Sequence, residues 1–389
     1  MVSHKVFITS CMNLCAVAIA IAGLGGASVA AQQSVSANNP VVLTHASTQT
    51  DRAHFVQAEF LPNHGMNLIQ IKAFVPGKGV INLLASPSLE EVKTKLDGPD
   101  PFGNEAFKMG GAFLLPYPNR IRGTLSADGM TIETCANGQE LTLPANWKGD
   151  NPGAELHAMH GLILNAKFQD IDLRSGKNSS HVSAMLHAGN FGGHWPSQTD
   201  VKVQAELTGD VLDLKVTATN VGTERLPMAI GMHPYFAIPS GDREQARVHM
   251  PATMRAPSNN YDDVFALGVL VPVKESRFDF NADEGVPLGT GFVDDSFTSL
   301  QRNPKGAAEV RVTDPAAKYG IKIIALSKEI RTIQMYAPPA KNFVAIEPQY
   351  NLSDPFDKKV WGNQDTGVVY LKPGQSTTWH VQFAIYDMK

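Results

Sequence analysis

The sequence predicts an all-β protein, a large antiparallel β-sandwich with few short helices. Apolar and polar residues alternate with period two through much of the chain, as antiparallel strands with one buried face require. The alternating runs are short and separated by Gly, Asn and Asp, the residues of tight turns. Only one stretch reads with helical spacing.

Along the chain, the opening segment "MVSHKVFITSCMNLCAVAIAIAGLGGASVAAQQ" carries Lys5 and no acidic residue. A largely apolar run follows from Cys15 to Gly25, then small residues ending Val29-Ala30-Ala31. This is the layout of a cleaved secretory signal, so residues 1–31 are expected to be removed and the protein to be periplasmic or secreted. The apolar run is too short for a comfortable membrane span, and no membrane anchor is expected. Residues 32–50 are polar without a clear period and are expected to form a flexible lead-in. Residues 51–389 are expected to form a single sandwich domain.

"SPSLEEVKTKL", Ser86 to Leu96, is the helical stretch, with Ser88 a cap ahead of Glu90 and Glu91. "GTLSADGMTIETCANGQELTLP" sets Asp128-Gly129 and Asn137-Gly138 between β-prone runs, predicting two successive hairpins. Residues 163–197 and 239–263 read as longer excursions. "VKVQAELTGDVLDLKVTATNVG" alternates on both sides of Thr208-Gly209-Asp210. "EVRVTDPAAKYGIKIIAL" and "TTWHVQFAIYDMK" read as strands in the same way.

Composition excludes several function classes. A formal net charge of −4 gives no electrostatic case for nucleic acid or an anionic membrane. Two of the three cysteines leave with the signal, so Cys135 has no intramolecular partner. His181, His187 and His194 lack compact ligand spacing, and His157-x-x-His160 lacks a nearby third ligand, so no metal is expected. No phosphate loop, dinucleotide fingerprint or Gly-x-Ser-x-Gly elbow appears, and Cys135 has no nearby base.

Five polar spots stand out against the apolar background. "GMHPYFAIP" places His233 inside an apolar β-prone run with Pro234 directly after it. Proline lacks an N–H and forces its predecessor extended, so His233 is expected where regular pairing stops, at a strand end or sheet rim. "VAIEPQY" repeats this logic with Glu347 before Pro348. "PYPNRIRG" presents Asn119 and Arg120, "AMHGL" sets His160 against a glycine, and "FVDDSF" carries Asp294 and Asp295. Each has a structural reading beside the functional one: a turn with a solvated cation, a histidine bonded to its own turn, a solvated acidic pair. Glu347, after three apolar residues, is least easily read as solvated.

Taken in order, "PYPNRIRG", "MHG", "GMHPYF", "FVDDSF" and "AIEPQ" resemble the aldose 1-epimerase family, the galactose mutarotases. The similarity runs from roughly Asn67 to Tyr386. The resemblance implies a supersandwich fold with the sugar in an open groove across one sheet. It also implies Glu347 as general base, His233 as general acid, and Arg120, His160, Asp294 and Asn119 as groups that hold the sugar, with no cofactor. Two departures accompany it: Leu162 stands where the family commonly has a second glycine, and "YNLSDPF" follows "EPQ".

The activity so implied is interconversion of the α and β anomers of a free aldohexose, such as glucose or galactose. A carboxylate with ionised oxygen and an imidazolium would supply the two proton transfers. Rival readings of the same residues are a non-catalytic carbohydrate-binding protein and a hexose-6-phosphate epimerase, which would need extra cations for the phosphate. A glycosidase using Glu347 with Asp294 is a third.

Overall fold

In strands Thr199–Leu207 and Val211–Asn220 every second residue is buried, as the sequence alternation demands. The computed structural model describes Met1 and residues 31–34, 36 and 38–388. Apart from Met1 and Ala31, the expected signal lies outside the described residues.

Alternation of this kind gives each sheet one apolar face, and two such faces close on each other. One sheet has ten strands, with Thr199–Leu207, Val211–Asn220, Ser376–Asp387 and Tyr319–Ala325 adjacent at its centre. The other has eleven. Its middle runs Gly111–Leu114, Gly231–Ala237, Phe343–Gln349, Thr332–Ala337 and Val293–Leu300. Every pairing in both sheets is antiparallel. The core lies between the two sheets, where Phe113 meets Trp379 edge-on at 6.0 Å and Phe236 meets Phe383 at 5.2 Å. These rings come from opposite sheets and are essentially inaccessible to water. Burying an aromatic side chain contributes roughly 1.5–3 kcal/mol.

Helix is scarce, as expected. Among the described residues the α-helices are Leu89–Leu96 and Lys358–Trp361. Ser88 caps the first in a full capping box with Glu91. Neither is long and apolar enough to cross a membrane. Both predicted hairpins form: Thr124–Leu125 pairs with Thr131–Ala136, which pairs with Gln139–Pro144. Asn137 and Gly138 both take positive φ in the second turn, 53° and 89°.

Three expectations need correction. The 163–197 excursion holds two strands of the ten-stranded sheet, Gln169–Ser175 and Ser180–Gly189. Their alternation is hidden because small or polar residues fill many of their positions. The 239–263 stretch holds the short strands Arg247–His249 and Ala252–Ala256. The expected lead-in 32–50 is partly sheet: Val41–Thr44 pairs with His54–Leu61, burying Val41 and Leu43, and Ala31–Ser34 pairs with Gln169–Ser175. Val41–Thr44 reads VVLT, at the minimum length for a period and without apolar–polar alternation.

Candidate active site

Two prolines explain how the site is built. The ladder between Gly231–Ala237 and Phe343–Gln349 pairs Gly231 with Gln349 and Tyr235 with Ala345, and nothing between. Pro234 and Pro348 both fall in that gap and can donate no ladder hydrogen bond. The register is the same on either side of the gap, so His233 stands directly opposite Glu347. Cross-strand neighbours have Cβ atoms about 4.5–5.5 Å apart on one face. His233 Nε2 lies 3.2 Å from Glu347 Oε1.

The expectation that His233 sits at a strand end or rim is therefore corrected. The strand continues to Ala237 and lies mid-sheet, because its other edge still pairs, His233 with Ala112 and Pro234 with Gly111. Glu347 likewise does not end its strand, which runs to Gln349 and pairs Glu347 with Gln334. The prolines interrupt one ladder and leave both strands intact.

The rest of the face follows from period two. Gln334 and Tyr336, Asp294 and Ser296, and His233 and Tyr235 share the side of the sheet that carries Glu347. A cavity of about 640 Å³ opens over this face, within the range of small-ligand pockets. Asn119 and Arg120 border it, as do His160, Asp294, His233 and Glu347, so the structure brings together six of the seven residues singled out in the sequence. Asp295 is turned to other work: it takes an ion pair from Arg255 at 2.5 Å and a hydrogen bond from Tyr261.

A chain of hydrogen bonds fixes the polar groups that border the cavity. Arg120 Nη1 donates to Asn119 Oδ1 at 3.3 Å, and Asn119 Nδ2 donates to Gln334 Oε1 at 3.2 Å. Ser296 donates to the same Gln334 oxygen at 2.6 Å, leaving the Gln334 amide N–H to donate to Asp294 Oδ1 at 2.7 Å. Asn119 and His160 both hold left-handed backbone, φ 63° and 60°, tied by a His160 N–H to Asn119 carbonyl bond of 2.9 Å. Gly161 is required there: with φ 83°, an added Cβ would lie 2.3 Å from the Leu115 carbonyl oxygen. Leu162 then donates its N–H to that same carbonyl, so the departure from the family's second glycine is accommodated. "YNLSDPF" also finds a role here. Asn351 donates to Pro118 O, Asp354 N–H donates to Arg120 O, and the Asp354 carboxylate takes the backbone N–H and Nε of Arg122. The segment clamps the Arg120 strand from behind.

The site keeps polar atoms that no protein group satisfies. Arg120 Nε, His160 Nδ1, His233 Nδ1 and Glu347 Oε2 are buried without a hydrogen-bond partner, although most buried polar groups have one. Burial also sets the charges. Among protein groups alone, desolvation pushes the Glu347 carboxyl well above the usual range; nearby Asp294 adds to this and Arg120 opposes it. Desolvation pulls His233 down to about 3, with Arg120 contributing. Asp294 is pushed up to about 6 by burial, against the pull of Arg120 and Gln334. His160 falls well below its ordinary value, from burial and then the neighbouring His233 and Arg120. Burial thus disfavours both charged forms, the Glu347 carboxylate and the His233 imidazolium.

Gln334, Tyr235, Tyr336, Phe107 and Trp147 also border the cavity and were assigned no role from sequence. The signal for Gln334 was present in "TIQMYA", where a polar residue interrupts apolar neighbours two before a tyrosine. Phe107 lies in the short 3-10 helix Asn104–Lys108 and Trp147 outside any strand or helix, so neither carries a period to read; their rings meet at 5.4 Å, and Phe107 packs on His160 at 4.7 Å. Among the described residues, no group of three or more His, Cys, Asp or Glu is placed to hold a metal ion.

Both the sequence and the fold have known relatives. The family described as aldose 1-epimerase matches residues 84–384. An uncharacterised protein of Escherichia coli K12, YphB, is 23% identical over 271 residues, 68% of this chain and 80% of that one. A galactose mutarotase-like protein from Clostridium acetobutylicum superposes with a TM-score of 0.67 at 17% identity, covering 89% of this chain and 98% of its own. A galactose 1-epimerase from Lactobacillus acidophilus gives 0.62 at 15% identity, covering 90% and 99%.

Proposed function

The chain belongs to the aldose 1-epimerase family, and from that premise we propose that it interconverts the anomers of a free aldohexose by acid–base ring opening. The observation that carries the reading is the His233–Glu347 pair, juxtaposed across a proline-made gap and facing the cavity.

The chemistry explains why neighbours suffice. One proton must leave the C1 hydroxyl while another reaches the ring oxygen, and both oxygens are bonded to C1. Two groups at one register position of adjacent strands can therefore address both. Glu347 accepts from the hydroxyl, His233 donates to the ring oxygen, the ring opens, and the aldehyde turns about C1–C2. Closure returns both protons, so atoms balance without a cofactor or covalent intermediate. Each transfer contributes typically about 10²–10⁴-fold. Arg120 and Asp294, held through Asn119 and Gln334, are suited to bind ring hydroxyls at the far side.

The same proposal includes export, supported by the pattern of the first 31 residues. Cleavage after Ala30 would leave intact the Ala31–Ser34 strand that pairs with Gln169–Ser175. N-terminal sequencing of the secreted form should begin at Ala31 or Gln32.

Polarimetry on freshly dissolved α-glucose and α-galactose tests the activity. Rotation should approach equilibrium faster than the spontaneous reaction, in proportion to protein added. Binding without any rate excess would instead identify a carbohydrate-binding protein.

A further inference from the structure

Two loops meet above the cavity. Residues 147–157 form one, its base closed by reciprocal backbone bonds between Trp147 and His157 of 3.1 and 2.9 Å. Residues 258–266 form the other, its base closed by the Ser258–Ala266 bridge and an Asn259 N–H to Phe265 carbonyl bond of 2.8 Å. Within it the Asn260 side-chain oxygen accepts the N–H groups of Asp262 and Asp263 at 2.8 and 2.7 Å, and Tyr261 donates to buried Asp295. The bases of the two loops pack together through His157 and Phe265, edge-on at 4.8 Å.

Their tips are joined by one side chain. The Asp262 carboxylate accepts the backbone N–H of Asp150 at 2.8 Å and that of Asn151 at 3.0 Å. Hydrogen bonds to a carboxylate acceptor are stronger than those between neutral groups. The approach is so close that Gly149 is needed: a Cβ there would lie 2.1 Å from Asp262 Oδ2. Gly149, Asp150 and Asp262 all belong to the cavity wall.

The position of this clasp relative to the reacting pair gives it a consequence. Strand order runs from His233 and Glu347 through Gln334 to Asp294, and the 258–266 loop bonds to Asp294 through Ser258 Oγ, 3.1 Å from its carbonyl. Glu347 stands across from Gln334 and Ser296, and Asp294 lies two residues along from Ser296, so two strand spacings of about 4.8 Å and a two-residue step of about 6.8 Å set their backbones roughly 12 Å apart, room for one pyranose ring between the side chains. With C1 at the pair, the opposite end of the ring, where a further sugar would be attached, points at the clasp.

We propose that Asp262 is a specificity-determining residue whose clasp ends the cavity after one sugar ring, so that the site takes free monosaccharides and rejects reducing-end disaccharides. The proposal rests on the aldose reading above for the orientation of the ring. Asp262 touches no reacting atom; it acts by holding two loop tips together.

The test measures calorimetric affinity for glucose and galactose against maltose and lactose, alongside polarimetric rates on all four. The unaltered protein should bind the monosaccharides at least about tenfold more tightly, the low end of what one extra group costs in a closed pocket. Asp262→Ala and Gly149→Ala break the clasp from its two sides, and both should narrow that ratio through tighter disaccharide binding. Asp262→Asn keeps one acceptor oxygen and should restore part of the discrimination. Equal affinity of the unaltered protein for both sugar lengths would overturn the proposal, as would a ratio unmoved in Asp262→Ala and Gly149→Ala. Discriminating binding without rate enhancement would uphold the clasp and remove the catalytic reading. Epimerisation with no length preference would do the reverse.

Discussion

Replacing Glu347 by glutamine keeps the shape of the side chain and removes its ability to take a proton. Glu347 is 1% exposed, and one of its oxygens is already engaged by His233 at 3.2 Å. No water-borne base can easily stand in at that depth. Asp294, another carboxylate on this face, sits two strands and two residues away, its backbone roughly 12 Å from that of Glu347, and is held by Gln334. The full acid–base contribution should therefore be lost, about 10²–10⁴-fold in turnover or roughly 3–5 kcal/mol of barrier. His233→Asn should cost a similar factor. Because the two groups act as a unit, the double variant should lose little more than either single one. The pH profile supplies a second readout. Burial raises Glu347 and lowers His233 to about 3, so the carboxylate–imidazolium form peaks between those values and the rate should be bell-shaped. Its two limbs belong to the coupled pair, the alkaline one tracking Glu347 most closely. Glu347→Gln should abolish that limb. The assay is the excess rate of optical-rotation change over the spontaneous reaction, across pH. Near-normal turnover in Glu347→Gln, or an unchanged alkaline limb, would refute the pairing of roles argued from the register.

Asp294 is buried with its pKa raised from 3.8 to about 6, so its favourable neutral form is fully present below pH 3.8 and lost as pH rises through 6. Asp294→Asn, always neutral and still able to accept from Gln334, should raise the Tm at pH 8, leave it nearly unchanged below pH 4, and weaken sugar binding. Gly161→Ala should lower stability by about 2 kcal/mol or more in thermal denaturation, since it meets both a positive φ and the Leu115 carbonyl. Arg120→Ala should raise KM and also move the alkaline limb of the rate profile upward, because the guanidinium charge holds the Glu347 carboxyl down.

The fold class was legible because alternation is a direct image of a half-buried strand, as in Val201 to Leu207. It failed where the strand was too short, as at Val41–Thr44, or its positions too small and polar, as along Ser180–Gly189. The six cavity residues drew attention for a different reason: most interrupt an apolar run or abut a proline or glycine, while the roles expected of them came from the family resemblance of the motifs that carry them. What the sequence could not give was register. That His233 faces Glu347 depends on which strands neighbour each other, and two prolines that read as strand ends lie instead mid-sheet, Pro234 across from Ile346 and Pro348 across from Met232. Gln334 shows the same limit, since its importance comes from three partners on distant segments.

The network that joins Asn119 to Gln334 spans 215 positions of the chain. None of the five strands that carry the site face is joined to its neighbour by a tight hairpin except where Thr332–Ala337 precedes Phe343–Gln349. Contacts of such separation must meet their loop-closure entropy before they return any stability, which makes folds of this kind slow to assemble. The cavity cannot exist in a partly folded chain. Activity at this site would then be the last property to appear on folding, and its recovery a direct report that the whole eleven-stranded sheet has closed.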